Sequence, residues 1–163
     1  MDGGLLFFSV IIPAHNEEAY VGKVLTSLKN INYPRDKFEV IVVENGSTDR
    51  TNDIIREYAP ASFKVVRIAE PGVSRAKNRG IDLVSQISSW VIVLDADTYP
   101  GTTFFRSWIV SLKLMPAGTW GRAWFRSFPR PIRDSPGGGI ASSTWQTISH
   151  TRRDPSNAFA GIC

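Results

Sequence analysis

The stretch Trp90-Val91-Ile92-Val93-Leu94-Asp95-Ala96-Asp97 decides the fold that this sequence predicts. Its first five residues are apolar, and such a short, largely β-branched run bounded by polar residues indicates a strand buried in a parallel sheet. Two carboxylates follow at the end of that strand, which is where open α/β sheets bind their ligands. Asp95 and Asp97 are therefore candidate ligands of a hard divalent cation, Mg²⁺ or Mn²⁺. The alternative is a pair of acidic residues that caps the following helix.

Upstream of this stretch, apolar runs of strand length alternate with segments of helical periodicity. This alternation predicts an α/β fold, with right-handed crossovers and a Rossmann-like, mostly parallel sheet. Asn16 is the predicted N-cap of the first helix, with acidic residues in the first turn. The predicted strands are 7–13, 38–43, 63–68 and 90–94, and the predicted helices are 17–28, 49–58, 74–85 and 102–114.

Composition narrows the class of protein. A chain of 163 residues with 42% hydrophobic side chains has room for one domain with a real core. The only cysteine is Cys163, which excludes an internal disulfide framework. No apolar run approaches the ~18 residues of a membrane-spanning helix, and the N-terminus lacks the pattern of a secretory signal. We therefore expect a cytoplasmic protein.

The character of the chain changes after residue 116. Residues 1–115 carry 13 basic and 13 acidic side chains, so the net charge of +4 lies entirely in residues 116–163. We predict an α/β half-domain over 1–116 and an irregular Arg/Gly/Pro-rich tail over 117–163. The tail has six arginines but no lysine. Such a composition results when GC-rich coding DNA is translated in the wrong reading frame. A frameshift or early stop is one hypothesis for it, and a genuine flexible extension is the other.

Polar residues also follow three earlier predicted strands, in the segments 13–18, 44–51 and 70–80. Asn16, Glu17, Glu44 and Asn45 can offer hydrogen-bond partners to a nucleobase or a ribose. Arginines at the start of a helix oppose the helix dipole, so those of the third segment suggest an anionic ligand. Taken singly, each segment is also explained by helix capping, a tight turn or a solvated basic surface.

Four motifs occur in order along the chain: VIIPAHNEE at 10–18, VVENGSTD at 42–49, RAKNRG at 75–80 and VLDAD at 93–97. Together they resemble the nucleotide-sugar-binding half of the family 2 glycosyltransferases of the GT-A fold, over about residues 7–115. The resemblance implies an incomplete GT-A sheet, a nucleotide-diphospho-sugar donor and a Mg²⁺ or Mn²⁺ cofactor. It also implies site residues: Pro13, Ala14, Asn16, Glu17, Glu44, Asn45, Arg75 and Asn78 for the nucleotide, Asp95 for donor and metal, and Asp97 for metal.

Members of that family invert the configuration of the transferred sugar. Their carboxylate base lies downstream of the two aspartates that correspond to Asp95 and Asp97, the DxD pair. The acidic residues after Asp97 are Asp134 and Asp154, and no family motif surrounds either. The favoured hypothesis is therefore a truncated glycosyltransferase that lacks the base and the acceptor half, and the acceptor (saccharide, lipid or protein) stays open. The main alternative is a catalytically inactive nucleotide-sugar-binding module.

Two further alternatives concern other classes of protein. The first is an adaptor that would use the arginine-rich tail to bind nucleic acid or a membrane surface. We expect no specific nucleic-acid partner, and peripheral association with the inner membrane face stays open. A nucleotidyltransferase is disfavoured, because no glycine-rich phosphate loop follows the first strand.

Overall fold

A computed structural model describes residues 5–113 of the chain, and these form alternating strands and helices. The predicted alternation is confirmed, with boundaries that differ by a few residues. In chain order the elements are β1 (Phe8–Ala14), α1 (Val21–Lys29), a 3₁₀ turn (Arg35–Lys37), β2 (Phe38–Asn45), α2 (Thr51–Tyr58), β3 (Lys64–Ile68), α3 (Val73–Asp82), β4 (Trp90–Val93) and α4 (Phe104–Lys113).

The described strands form one parallel sheet in the order β3-β2-β1-β4. The chain steps outward from β1 to β3 and then returns to place β4 on the other side of β1. This reversal creates a topological switch point between β1 and β4, the position where α/β sheets bind ligands. The predicted α/β fold with a parallel sheet is thus confirmed.

Proline helps to open the sheet at this switch point. The pairing of β1 with β2 runs to Ala14, whereas its pairing with β4 stops at Ile11, whose carbonyl accepts the N–H of Leu94 (2.9 Å). Backbone groups alternate in direction along a strand, so the next position of β1 that faces β4 is residue 13. Pro13 has no N–H to extend that ladder, and the two chains separate there.

The two faces of the sheet are covered by different helices. One face packs against α1, α2 and α4, and Phe8 of β1 stacks on Phe105 of α4 at 4.7 Å between ring centroids. The other face packs against α3, where Ile11 of β1 and Val43 of β2 are fully buried beside Ala76. Apolar side chains therefore cover both faces of the sheet, as expected of parallel strands.

Helix α3 lies so close to β1 that one position of the helix has no room for a side chain. A Cβ atom built on Gly80 would stand 2.3 Å from Ile11 Cγ2. This close approach determines where the N-terminal end of α3 meets the carboxyl ends of the strands.

The predicted start of the first helix is wrong. We expected α1 to begin at Glu17 with Asn16 as its N-cap, but the helix begins at Val21 after a turn. Asn16 has a φ of 55°, in the left-handed region, and the Tyr20 N-cap makes no side-chain capping bond. The reason is that residues 16–18 bond to the loop after β2, as described below.

A polar network joins three strands at the amino-terminal edge of the sheet. Glu39 of β2 accepts hydrogen bonds from the Ser9 hydroxyl (2.6 Å), the Ser85 N–H (2.7 Å) and Lys64 Nζ (2.8 Å). Burial alone raises the pKa of Glu39, but these donors outweigh burial and hold its pKa below the ordinary value of 4.5.

This network predicts an acid-sensitive contribution to stability. Because the folded-state pKa of Glu39 is lowered, its contribution is present above about pH 4.5 and is lost as the pH falls through the lowered pKa. We expect Glu39→Gln to lower the free energy of unfolding by about 1 kcal/mol at pH 7. The difference should shrink towards pH 3 in urea denaturation. The exposed Glu57→Gln is the matched control, and a Glu39→Gln effect independent of pH would contradict the prediction.

Two expectations fall outside this description. The predicted tail at 117–163 and the frameshift hypothesis concern residues beyond the described range. Within residues 5–113, every helix is too short or too polar to cross a bilayer. The cytoplasmic location and the association with a membrane surface stay predictions.

Candidate functional site

Four loops meet at the carboxyl ends of the strands, around the switch point. They are loop 1 (residues 15–20, after β1), loop 2 (46–50, after β2), loop 3 (69–72, after β3) and loop 4 (94–103, after β4). The sequence-predicted site residues lie in these loops, at the adjoining strand ends, or on the first two turns of α3.

Loops 1 and 2 are held together by reciprocal hydrogen bonds, which we call the loop clasp. Successive main-chain N–H groups of residues 16, 17 and 18 donate to the side chains of Ser47 (3.2 Å), Thr51 (2.7 Å) and Asp49 (3.2 Å). In return, the N–H groups of residues 48 and 50 donate to the side chains of Asn16 (2.9 Å) and Glu18 (3.0 Å). The clasp thus provides acceptors for main-chain N–H groups that lie outside the helices and strands.

Asn16 is committed to this clasp. Its Oδ1 atom accepts from Thr48, and its Nδ2 atom lies 3.4 Å from His15 Nε2. Its left-handed backbone is one that asparagine tolerates better than most residues. The structure thus gives Asn16 a positioning task, and its contact with a nucleoside stays a prediction, as do those of Pro13, Ala14 and Glu17.

Glu44 at the end of β2 is fully buried, and both of its carboxylate oxygens face protein groups. Oε1 accepts the N–H of Ser47 (2.5 Å), which shapes loop 2. Oε2 lies 2.8 Å from Nε of Arg67, the residue paired with Glu44 across β3, but off the N–H direction, so it accepts no directed hydrogen bond. Glu44 therefore holds loop 2 in place, and the predicted contact of its carboxylate with a base or ribose stays untested.

Asn45 connects three loops. Its carbonyl accepts the Nδ1–H of His15 in loop 1 (2.7 Å), and its side-chain Oδ1 accepts the N–H of Gly72 in loop 3 (2.8 Å). The next residue, Gly46, has a φ of 64°, and a Cβ there would stand 2.9 Å from the Ala69 carbonyl oxygen. Glycine is required at residue 46 for both reasons, since loop 2 passes directly over loop 3.

Helix α3 brings basic residues to this end of the sheet. Arg75 is exposed and pairs with Glu70 (Nη1 to Oε2, 2.6 Å), and Asn78 lies exposed one turn later. The structure thus places both predicted residues at the rim of the site. Between them, the charge of Lys77 acts on Asp95.

Asp95 and Asp97 follow β4 on loop 4. Asp95 is partly buried and Asp97 is exposed. Burial raises the pKa of Asp95, the negative charge of Asp97 raises it further, and the ammonium group of Lys77 lowers it. The two carboxylates therefore repel one another at the switch point, which is an arrangement that a shared cation would relieve.

The donor set fits a divalent cation that is shared with a ligand. Among residues 5–113, no three acidic, histidine or cysteine side chains cluster as a metal site. Within the described residues, the carboxylates of Asp95 and Asp97 are suited to such an ion, because Mg²⁺ is usually bound by one or two carboxylates together with substrate oxygens and water.

Comparison with known proteins gives the family. The family model described as "Glycosyl transferase family 2" matches residues 9–109, more than half of the chain. The chain belongs to this family. The resemblance drawn from the four motifs is thereby confirmed.

Individual relatives agree with that assignment. This family 2 chain is 35% identical over 96 residues to a probable glycosyltransferase, YdaM, of Bacillus subtilis, covering 56% of the chain and 23% of YdaM. Among solved structures, it superposes on residues 1–349 of Staphylococcus aureus TarS in complex with UDP-GlcNAc with a TM-score of 0.58 and 27% identity, covering 66% of the chain and 31% of that structure. It superposes on the mannosyltransferase PcManGT of Pyrobaculum calidifontis, in complex with GDP-Man and Mn²⁺, with a TM-score of 0.57 and 29% identity, covering 62% and 30%.

These matches show how much of each relative's length the chain covers. The family 2 chain spans less than a third of each of these relatives. The shared part is the α/β sheet with its loops, so the fold of GT-A neighbours extends to this chain.

Sequence reasoning missed several residues of the site. Lys77 of α3 has no predicted role, although its charge acts on Asp95. Ser47, Asp49 and Thr51 accept hydrogen bonds from the main chain of loop 1, a role that no sequence pattern indicates. The period-2 alternation of β2 indicates that Glu44 is buried, because it places that residue on the same buried face as Val42.

Proposed function

We propose that residues 7–115 are the donor-binding half of an inverting glycosyltransferase. They would hold a nucleotide-diphospho-sugar and a Mg²⁺ or Mn²⁺ ion at Asp95 and Asp97. The observation that carries the proposal is the position of these two mutually repelling carboxylates at the switch point. Similar structures that contain UDP-GlcNAc, or GDP-Man with Mn²⁺, support it.

The chain's own residues would each perform a positioning or binding task. The loop clasp and the Glu44 carboxylate keep loops 1 and 2 in one conformation, so little entropy is lost when a nucleotide binds. Lys77 and Arg75 place positive charge near the diphosphate, where it attracts the donor. A bound divalent cation would supply further charge to stabilise the leaving nucleoside diphosphate.

The rest of the reaction lies beyond the described residues. Inversion requires a carboxylate base that takes the proton of the acceptor hydroxyl. The acidic residues after Asp97 are Asp134 and Asp154, both outside the described range. The acceptor stays open between a saccharide, a lipid and a protein.

The second candidate is a nucleotide-sugar-binding module without transfer activity. Both candidates predict metal-dependent nucleotide binding, and only the first predicts release of nucleoside diphosphate from the donor in the presence of an acceptor.

Calorimetric titration of the full chain with UDP and GDP tests the proposed site. We expect one of them to bind in the presence of Mn²⁺, and binding to weaken about 100-fold in Asp97→Ala, because one of the two protein ligands of the cation is lost. Asp36→Ala is the matched control, since Asp36 is exposed in the turn before β2. Circular dichroism would verify that each variant is folded.

Three results would contradict this proposal. The first is the absence of UDP and GDP binding by a folded wild-type chain. The second is binding of equal strength with and without Mn²⁺, and the third is equal binding by Asp97→Ala and wild type.

A further inference from the structure

The main chain of Glu17 is fixed from two sides. Its N–H donates to the hydroxyl of Thr51 at the start of α2 (2.7 Å). Its carbonyl accepts the N–H groups of Tyr20 (3.0 Å) and Val21 (2.9 Å), where α1 begins. Loop 1 therefore enters α1 through one residue that is also tied to α2, and the half-buried Glu17 side chain starts from a defined main-chain position.

The Thr51 hydroxyl differs from the other two side chains that accept main-chain N–H groups of loop 1. Its bond is the shortest of the three, at 2.7 Å against 3.2 Å for both Ser47 and Asp49. Thr51 is also fully buried, whereas Ser47 and Asp49 are partly exposed. A main-chain N–H that loses a buried acceptor is costly, while one beside an exposed acceptor can turn to water. Thr51 is thus the acceptor that solvent replaces least well.

Helix α2 gives this hydroxyl a rigid support. Thr51 lies one helical turn before Ile55, on the same face of the helix, and neither residue has exposed surface. Ile55 belongs to the core between α2 and the sheet. Because Thr51 is fully buried, it would act on a ligand only through loop 1.

We propose that Thr51 is a positioning residue of the donor site, which sets the affinity for nucleotide through the main chain of Glu17. With the hydroxyl present, loop 1 is held in one conformation before a nucleotide arrives. Without it, loop 1 samples other conformations, and the affinity falls with the fraction of molecules in the competent one. This inference rests on the proposed function, because it names a residue that controls the same site without touching the ligand.

Two substitutions separate the hydroxyl from the shape of the side chain. Thr51→Val keeps the shape and removes the acceptor, whereas Thr51→Ser keeps the acceptor and removes a methyl group. Ile55→Val removes one carbon from the same face of α2 and is the matched control for lost packing. The full chain and each variant would be titrated calorimetrically with UDP and GDP in the presence of Mn²⁺. Melting temperatures, and exchange of the Glu17 amide proton measured by NMR, would be recorded without nucleotide.

We expect Thr51→Val to bind nucleotide about fivefold more weakly than wild type, as the loss of one hydrogen bond gives, and to exchange the Glu17 amide proton faster. Thr51→Ser and Ile55→Val should retain the wild-type affinity, although both lower the melting temperature by losing buried apolar surface. A merely structural role would instead make the affinity follow the melting temperature in all three variants.

Several outcomes would overturn the role of Thr51 and leave the donor site intact. They are equal binding by Thr51→Val and wild type, a Thr51→Ser variant as weak as Thr51→Val, and unchanged exchange of the Glu17 amide proton in Thr51→Val. Failure of the folded wild type to bind either nucleotide would overturn the donor site itself, and this role with it.

Discussion

Gly80→Ala is expected to lower the free energy of unfolding by about 3 kcal/mol, at the upper end of the usual cost of overpacking. The added Cβ would stand 2.3 Å from Ile11 Cγ2. Ile11 cannot yield, because it lies on the strand that pairs with both β2 and β4 and is fully buried. Helix α3 must therefore move away from the sheet.

The sign of the change in the free energy of unfolding shows whether α3 packs closely against β1. Without the close approach, replacing a glycine inside a helix by alanine stabilises by about 1 kcal/mol. Urea denaturation would measure the change, with Gly101→Ala as a control, since a Cβ at that position meets nothing within 4 Å. Removing the clashing atoms in an Ile11→Ala background should make Gly80→Ala markedly less costly. A Gly80→Ala variant as stable as the wild type would show that α3 does not pack this closely.

A functional consequence accompanies the loss of stability. α3 carries Lys77 and begins just after Gly72, whose N–H orients the Asn45 amide. A displaced helix would move both groups, so we expect metal-dependent nucleotide binding to weaken in any Gly80 variant that remains folded. The glycine at the end of the RAKNRG motif thus acts on the site through packing.

The elements of the sheet could be predicted from the sequence because their signal is local. The run at 90–94 and the periodicity around Val24 and Leu28 report burial directly, and the strands and helices they indicate are present. The start of α1 could not be predicted in the same way. The main chain of residues 16–18 bonds to side chains some 30 positions away, and hydrogen bonds of that range leave no periodic pattern.

The location of the candidate site is easier to predict from the sequence than the role of each of its residues. Placing Asp95 and Asp97 at the end of a core strand required only the apolar run before them. Whether Asn16 and Glu44 touch a ligand or hold a loop depends on side-chain direction and on partners from other elements. The motif identifies these residues as a group, while the tertiary contacts decide which of them support the site.

Arg67→Met tests the most buried of these supports. Glu44 has no exposed surface, and the nearby positive charge of Arg67 compensates its carboxylate. Removing one partner of a buried ion pair leaves an uncompensated charge, which typically costs 3–5 kcal/mol. Because Arg67 itself is 59% exposed and water can enter in its place, we expect a smaller loss of about 2 kcal/mol in the free energy of unfolding.

A double-mutant cycle separates the charge from the packing. Glu44→Gln can still accept the Ser47 N–H through its amide oxygen, so the Glu44→Gln/Arg67→Met double variant should be more stable than Arg67→Met alone. Arg56→Met, an exposed arginine of α2, is the matched control and should change stability by less than about 0.5 kcal/mol. If Arg67→Met cost no more than Arg56→Met, the carboxylate would not depend on its cross-strand partner. Ser47, whose hydroxyl accepts the Asn16 N–H in the loop clasp, would then be held by Glu44 without a contribution from Arg67.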